Sequence, residues 1–218
     1  MNLINTYLYL NYSAIVTLFL CLLYGLKNSV HKDKVLFLSL IFIFVCFTTE
    51  SLSYILANNH IRTHFLNYFL SLNYITVLYL ILKTVDFENQ NKKLISLCFY
   101  LCIIVLLIEI IWLSGFERSG GISAVVAFFW TIFILIRLIK QYFISEKTVS
   151  NNTYFWVYTS FLISKLFTVG EKGFGDLMIE NNLINPFVVV AIISYLGVII
   201  SNLIFMYSFY LYSKKQIS

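Results

Sequence analysis

Apolar residues run in seven blocks along the chain, at about 8–26, 35–57, 65–84, 94–114, 121–143, 153–170 and 187–212. The breaks between blocks hold charged, amide and glycine residues. A helix needs about 20 apolar residues to cross a hydrocarbon core about 30 Å thick, so each block is of spanning length. None can span as an open strand, because unpaired backbone groups in lipid are too costly. The pattern predicts an all-α membrane protein, a seven-transmembrane helix bundle forming one domain over residues 1–218. The sixth block is the least regular, since Lys165 interrupts "SFLISKLFTV".

Composition agrees with the pattern. The chain is 60% hydrophobic and 11% charged, against about 25% charged residues in ordinary soluble domains. Such a chain cannot cover its own surface with polar groups, and a multi-pass protein of a plasma (inner) membrane is expected, with the lipid bilayer as its first partner. The net charge of +5 lies in short breaks between apolar blocks. That is the arrangement of an orientation signal and not of a nucleic-acid surface. Eleven basic residues fall on one side: Lys27, Lys32, Lys34, Lys83, Lys92, Lys93, Arg137, Lys140, Lys147, Lys214 and Lys215. Three fall on the other, Arg62, Arg118 and Lys172. The bias places the N-terminus outside and the C-terminus in the cytoplasm. The first block has no basic flank before it and no small-residue cleavage site after it, so it reads as a retained span.

Three ionisable residues lie well inside blocks: Glu50, Glu109 and Lys165. Counted from the cytoplasmic starts of their spans at 1.5 Å per residue, the two glutamates stand about 22 Å up and Lys165 about 18 Å up. The long stem of Lys165 brings its ammonium to the same level. Each such charge costs about 2.5–3.5 kcal/mol at the centre of a span. Lys165 is therefore expected to face the bundle interior and pair with Glu50 or Glu109. Two carboxylates and one ammonium leave one carboxylate over, to be protonated or to meet a cation, a ligand or water.

Polar residues gather at that depth on helical spacing. Ser53 and Tyr54 follow Glu50 by three and four residues, and so share its face. Asn67, Ser71 and Tyr74 form one stripe, Trp112 follows Glu109 by three, and Tyr195 and Asn202 are seven apart. Together these predict an outward-facing polar pocket, with interhelical hydrogen bonding as the structural alternative. The break "EKGFGDLMIENNLIN", residues 171–185, is acidic and glycine-containing, and reads either as an ordinary solvated connection or as a mobile lid over that pocket.

The remaining motifs narrow the function classes. Cys21, Cys46, Cys98 and Cys102 all lie within apolar blocks and read as buried hydrophobes. His60 and His64 have the spacing of a metal-binding pair but no third ligand, and read as surface histidines. No metal or cofactor is expected. There is no HExxH or GxSxG motif and no carboxylate pair tied to a histidine, which argues against an intramembrane enzyme. Retinal proteins resemble the chain in plan alone, because residues 187–212 hold no lysine for a Schiff base. Seven-span sugar carriers hinge at prolines within spans. Here the single proline, Pro186, stands at a span entrance, and Gly197 alone among eight glycines is deep in a span. The reading that follows is a stand-alone sensor or receptor-like module, which takes a small ligand from outside and acts through a separate cytoplasmic signalling protein. A small-solute or proton-coupled transporter or channel, and a subunit of a membrane effector assembly, are the alternatives.

Overall fold

The structure, a computed structural model, describes residues 3–84, 89–113, 121–144 and 152–217. Among them every apolar block is helical and there is no strand. The helices are α1 (Leu3–Lys27), α2 (Lys34–Asn58), α3 (Phe65–Thr84), α4 (Asn89–Ile108), α5 (Gly121–Ile144), α6 (Thr153–Glu180) and α7 (Ile184–Ile217). Five of them, α1–α4 and α7, are long and apolar enough to cross a membrane. The described side chains of α5 are apolar over Gly121–Ile136, and α6 carries Lys165, Glu171 and Lys172 along its length. Of the basic residues on which the orientation rests, Arg118 and Lys147 lie outside the described residues, as do the side chains of Lys92, Arg137 and Lys140.

Helix ends follow local chemistry. Asp33 caps α2, its Oδ1 accepting from Val35 N at 2.9 Å and Leu36 N at 3.0 Å, and Asn152 caps α6 by accepting from Tyr154 N at 3.0 Å. Pro186 falls in the first turn of α7, where no helical N–H is required. At the far ends of α2 and α6, His60 and Asn182 take the left-handed conformation, with φ 59° and 58°. The N–H groups just beyond them, of Ile61 and Leu183, return to Leu56 O at 2.9 Å and Met178 O at 2.8 Å. This satisfies carbonyls that the helix leaves open.

The expected lid is corrected here. The sixth helix does not stop at residue 170; it runs to Glu180, and only residues 181–183 separate it from α7. Glycine weakens a helix by about 1 kcal/mol relative to alanine, yet Gly170 and Gly175 serve the packing. A Cβ on Gly170 would stand 3.3 Å from Val190 Cγ1, and one on Gly175 would stand 3.2 Å from the Phe187 ring. Small residues let α6 and α7 close up, as in other membrane bundles. Gly197 marks the tightest point, since a Cβ there would lie 2.2 Å from Phe167 Cβ.

Neighbour contacts arrange six helices in a ring, in the order α1, α2, α3, α5, α6, α7 and back to α1, with α4 outside against α3 and α5. Hydrogen bonds between helices recur around it. Trp130 Nε1 donates to Ile75 O at 3.0 Å, and Asn73 Nδ2 to Phe42 O at 3.1 Å. Asn202 Nδ2 donates to Thr17 Oγ1 at 3.1 Å. Ser160 and Ser201 form a reciprocal pair, each hydroxyl donating to the other's carbonyl at 3.0 Å. Phe42, Tyr74, Phe161 and Phe205 meet at the centre, with ring centroids 4.7 Å apart for Phe42–Tyr74 and Phe42–Phe161 and 5.2 Å for Phe161–Phe205. The outside is apolar on most helices, including Phe19 and Leu23 on α1, Leu97 and Ile104 on α4, and Leu196 and Leu203 on α7. This is a surface suited to lipid and not to water.

Candidate functional site: two adjoining polar cavities

Two cavities lie inside the ring and share Glu50, Asn67 and Lys172. The wider, about 280 Å³, lies at the end of the bundle that holds the N-terminus. It is walled by Tyr7 and Asn11 of α1, Ser53, Tyr54 and Asn58 of α2, Glu171 and Gly175 of α6, and Phe187 and Tyr195 of α7. The narrower, about 50 Å³, lies deeper among Ser71, Tyr74, Ser164, Lys165, Thr168, Ser201 and Asn202. It has room for a few waters or one small charged group. Along each helix the lining recurs every three or four residues: 46, 50, 53 and 57 on α2; 67, 71 and 74 on α3; 165, 168, 172, 175 and 179 on α6. One helical face per element thus forms the wall.

The charges meet differently from the sequence expectation. Lys172, and not Lys165, reaches the glutamates: its Nζ is 4.0 Å from Glu50 Oε1 and 3.8 Å from Glu171 Oε1. Lys165 is 3% exposed, and no carboxylate among the described residues lies within ion-pair distance of it. Its Nζ stands instead over the Tyr74 ring, 4.7 Å from the centroid, a contact worth up to about 2 kcal/mol away from water. The Tyr74 hydroxyl is in turn hydrogen-bonded to Ser164 Oγ. Lys165 and Glu50 line the same cavity without meeting.

Glu109 belongs to a different place. It sits in a single π-helical turn, Glu109–Leu113, that continues α4. Its carboxylate accepts from Ile122 N at 2.9 Å, Ser123 N at 2.6 Å and Ser123 Oγ. A carboxylate at a helix N-terminus satisfies open N–H groups and the positive end of the helix dipole. Glu109 thereby ties the end of α4 to the start of α5. Trp112, three residues on, is 82% exposed and points away from the bundle interior, because the π turn shifts the face that α-helical spacing assigns it.

Of the sequence-derived residues, Glu50, Ser53, Tyr54, Asn67, Ser71, Tyr74, Lys165, Tyr195 and Asn202 line one cavity or both, and Glu109 and Trp112 line neither. Sequence reasoning missed Lys172 and Glu171, having placed both in a loop. The signal was present: Lys172 is seven residues after Lys165, two helical turns on the same face. It also assigned nothing to α1, which contributes Tyr7 and Asn11 to the wall and Thr17 to Asn202. His64 lines the wider cavity while His60 ends α2. No group of residues suited to hold a metal ion occurs among the described residues. The chain matches no protein-family model, no curated protein and no solved structure.

Proposed function

We propose that the chain is a seven-helix membrane sensor, whose polar pocket opens to the outside and is sealed toward the cytoplasm. All seven helices then cross the bilayer, α6 carrying its charges on the face that lines the cavities. The concentration of basic residues at the end opposite the wider cavity supports a reading with that cavity outside and the C-terminus inside. One observation carries the reading: among the described residues the deep cavity gives way to a layer of packed aromatic rings. Phe42, Tyr74, Phe161 and Phe205 close its floor, and beyond them Leu36, Leu78 and Phe209 are fully buried. A through-pathway needs polar or hydrated surface on both sides of the membrane centre. A blind pocket binds and reports, and its occupancy biases helix packing toward a cytoplasmic signalling partner.

The partly buried cluster of Glu50, Glu171 and Lys172 favours transport as the second reading, since such charges mark proton and ion pathways. Flux into proteoliposomes separates the two. The sensor reading predicts no proton or solute flux above that of protein-free vesicles. Flux that appears with the protein and disappears in Glu50→Gln would overturn it.

A further inference from the structure

We infer that the two cavities together take a short zwitterion, an amino-carboxylate of the α-amino-acid class, with its carboxylate on Lys165 and its ammonium at Glu171 and Glu50. This rests on the outward pocket of the preceding reading and adds the chemistry of its occupant. The charges are divided unevenly along the passage. The deep cavity is lined by two ammoniums, Lys165 and Lys172, against one carboxylate, Glu50. The wider cavity is lined by two carboxylates, Glu50 and Glu171, against one ammonium, Lys172. The deep end is thus one positive charge in excess and the outer end one negative charge in excess.

At both ends the excess group lacks a full partner. Lys165 is 3% exposed with an aromatic ring beside it and, among the described residues, no carboxylate within ion-pair distance. An ammonium so placed is short of hydrogen-bond acceptors, which a ligand carboxylate supplies. Glu171 is 8% exposed, and its Oε2 is buried with no hydrogen-bond partner. Lys172 stands 3.8 and 4.0 Å from the two carboxylates, farther than the 2.7–2.9 Å or so of a charge-assisted hydrogen bond. Both carboxylates therefore keep capacity for a second cation. Tyr7, Tyr195 and Phe187 give that end the aromatic surface on which ammonium groups settle. Residues 165 and 171 are about 9 Å apart along the helix axis. The deep cavity of about 50 Å³ admits only a small charged group beside Lys165, so the fit is to a short zwitterion and not to a long one.

The test uses the full chain in lipid nanodiscs. Thermal unfolding and calorimetric titration are run with the standard α-amino acids, 4-aminobutanoate, the methyl ester and N-acetyl forms of whichever amino acid binds, and sodium chloride. At least one α-amino acid is expected to bind, and blocking either charge to weaken it by about tenfold or more. Lys165→Met should erase the preference for the free acid over its ester, and Glu171→Gln the preference for the free amine over its N-acetyl form. Binding by no amino acid, equal binding of the ester, or a full response to chloride alone would overturn the inference. The two levels fail separately. An amino acid that binds and is also carried into vesicles keeps the zwitterion site and ends the sensor reading. Absence of both binding and flux ends the zwitterion site and leaves the sensor reading in place.

Discussion

Replacing Lys172 by methionine removes the only ammonium within ion-pair distance of Glu50 and Glu171 among the described residues. At 4.0 and 3.8 Å, and with an effective dielectric constant near 20, each contact is worth about 4 kcal/mol of Coulomb attraction before desolvation is subtracted. Breaking a buried pair by removing one member costs about 3–5 kcal/mol, because the remaining charge stays buried and uncompensated. Lys172 and Glu50 keep 21% of their side-chain surface, Glu171 only 8%. The partial exposure places the expected loss for Lys172→Met near the lower end, about 3 kcal/mol. Adding Glu50→Gln should return part of it, with a coupling of about 1–3 kcal/mol across the double-mutant cycle. Lys165→Met should behave in the opposite way. That ammonium has no carboxylate partner among the described residues, so methionine removes a desolvation cost of several kcal/mol and forfeits the contact with Tyr74. Reversible unfolding in mixed detergent micelles measures both. A Lys165→Met variant that loses more stability than Lys172→Met would refute the assignment of the ion pairs.

Three further outcomes follow from the packing. Gly197→Ala should lower stability by about 1–3 kcal/mol, because the new methyl meets Phe167 Cβ, which cannot move without parting α6 from α7; unchanged unfolding would contradict that close approach. Glu109→Gln should cost about 1–3 kcal/mol by weakening the charge-assisted bonds to the first turn of α5, yet leave ligand binding in the cavities unaltered, as titration of the variant would check. Ser160→Ala and Ser201→Ala should each cost about 0.6 kcal/mol, the mean for hydrogen bonds between membrane helices. The pair should be non-additive on micelle unfolding, since the two hydroxyls close one reciprocal contact.

The helices were legible in the sequence because the length and polarity of each apolar block follow from the demands of lipid. The polar stripes were legible too. Asn67, Ser71 and Tyr74 obey α-helical spacing, and they stand on one wall as that spacing requires. The end of α6 was not, because composition marks where lipid contact stops and not where a helix stops. Glu171 and Lys172 continue the helix beyond the apolar run, facing a cavity instead of solvent. The partner of Lys165 was misassigned for a related reason. Equal depth along separate helices says nothing about rotation about each axis, and the ring order that sets Glu109 against α5 is a property of packing. Trp112 shows the same limit in one residue, as the π turn alters its direction without any sign in composition.

The most direct test of an outward, blind pocket is cysteine accessibility in a background free of Cys21, Cys46, Cys98 and Cys102. A membrane-impermeant thiol reagent is applied separately to each side of oriented vesicles. Ser53→Cys, in the wall of the wider cavity, should react from the outer face alone. Phe205→Cys, in the aromatic floor, should stay unreactive from both faces. Labelling of Ser53→Cys from the cytoplasmic face, or of Phe205→Cys from either, would contradict the account.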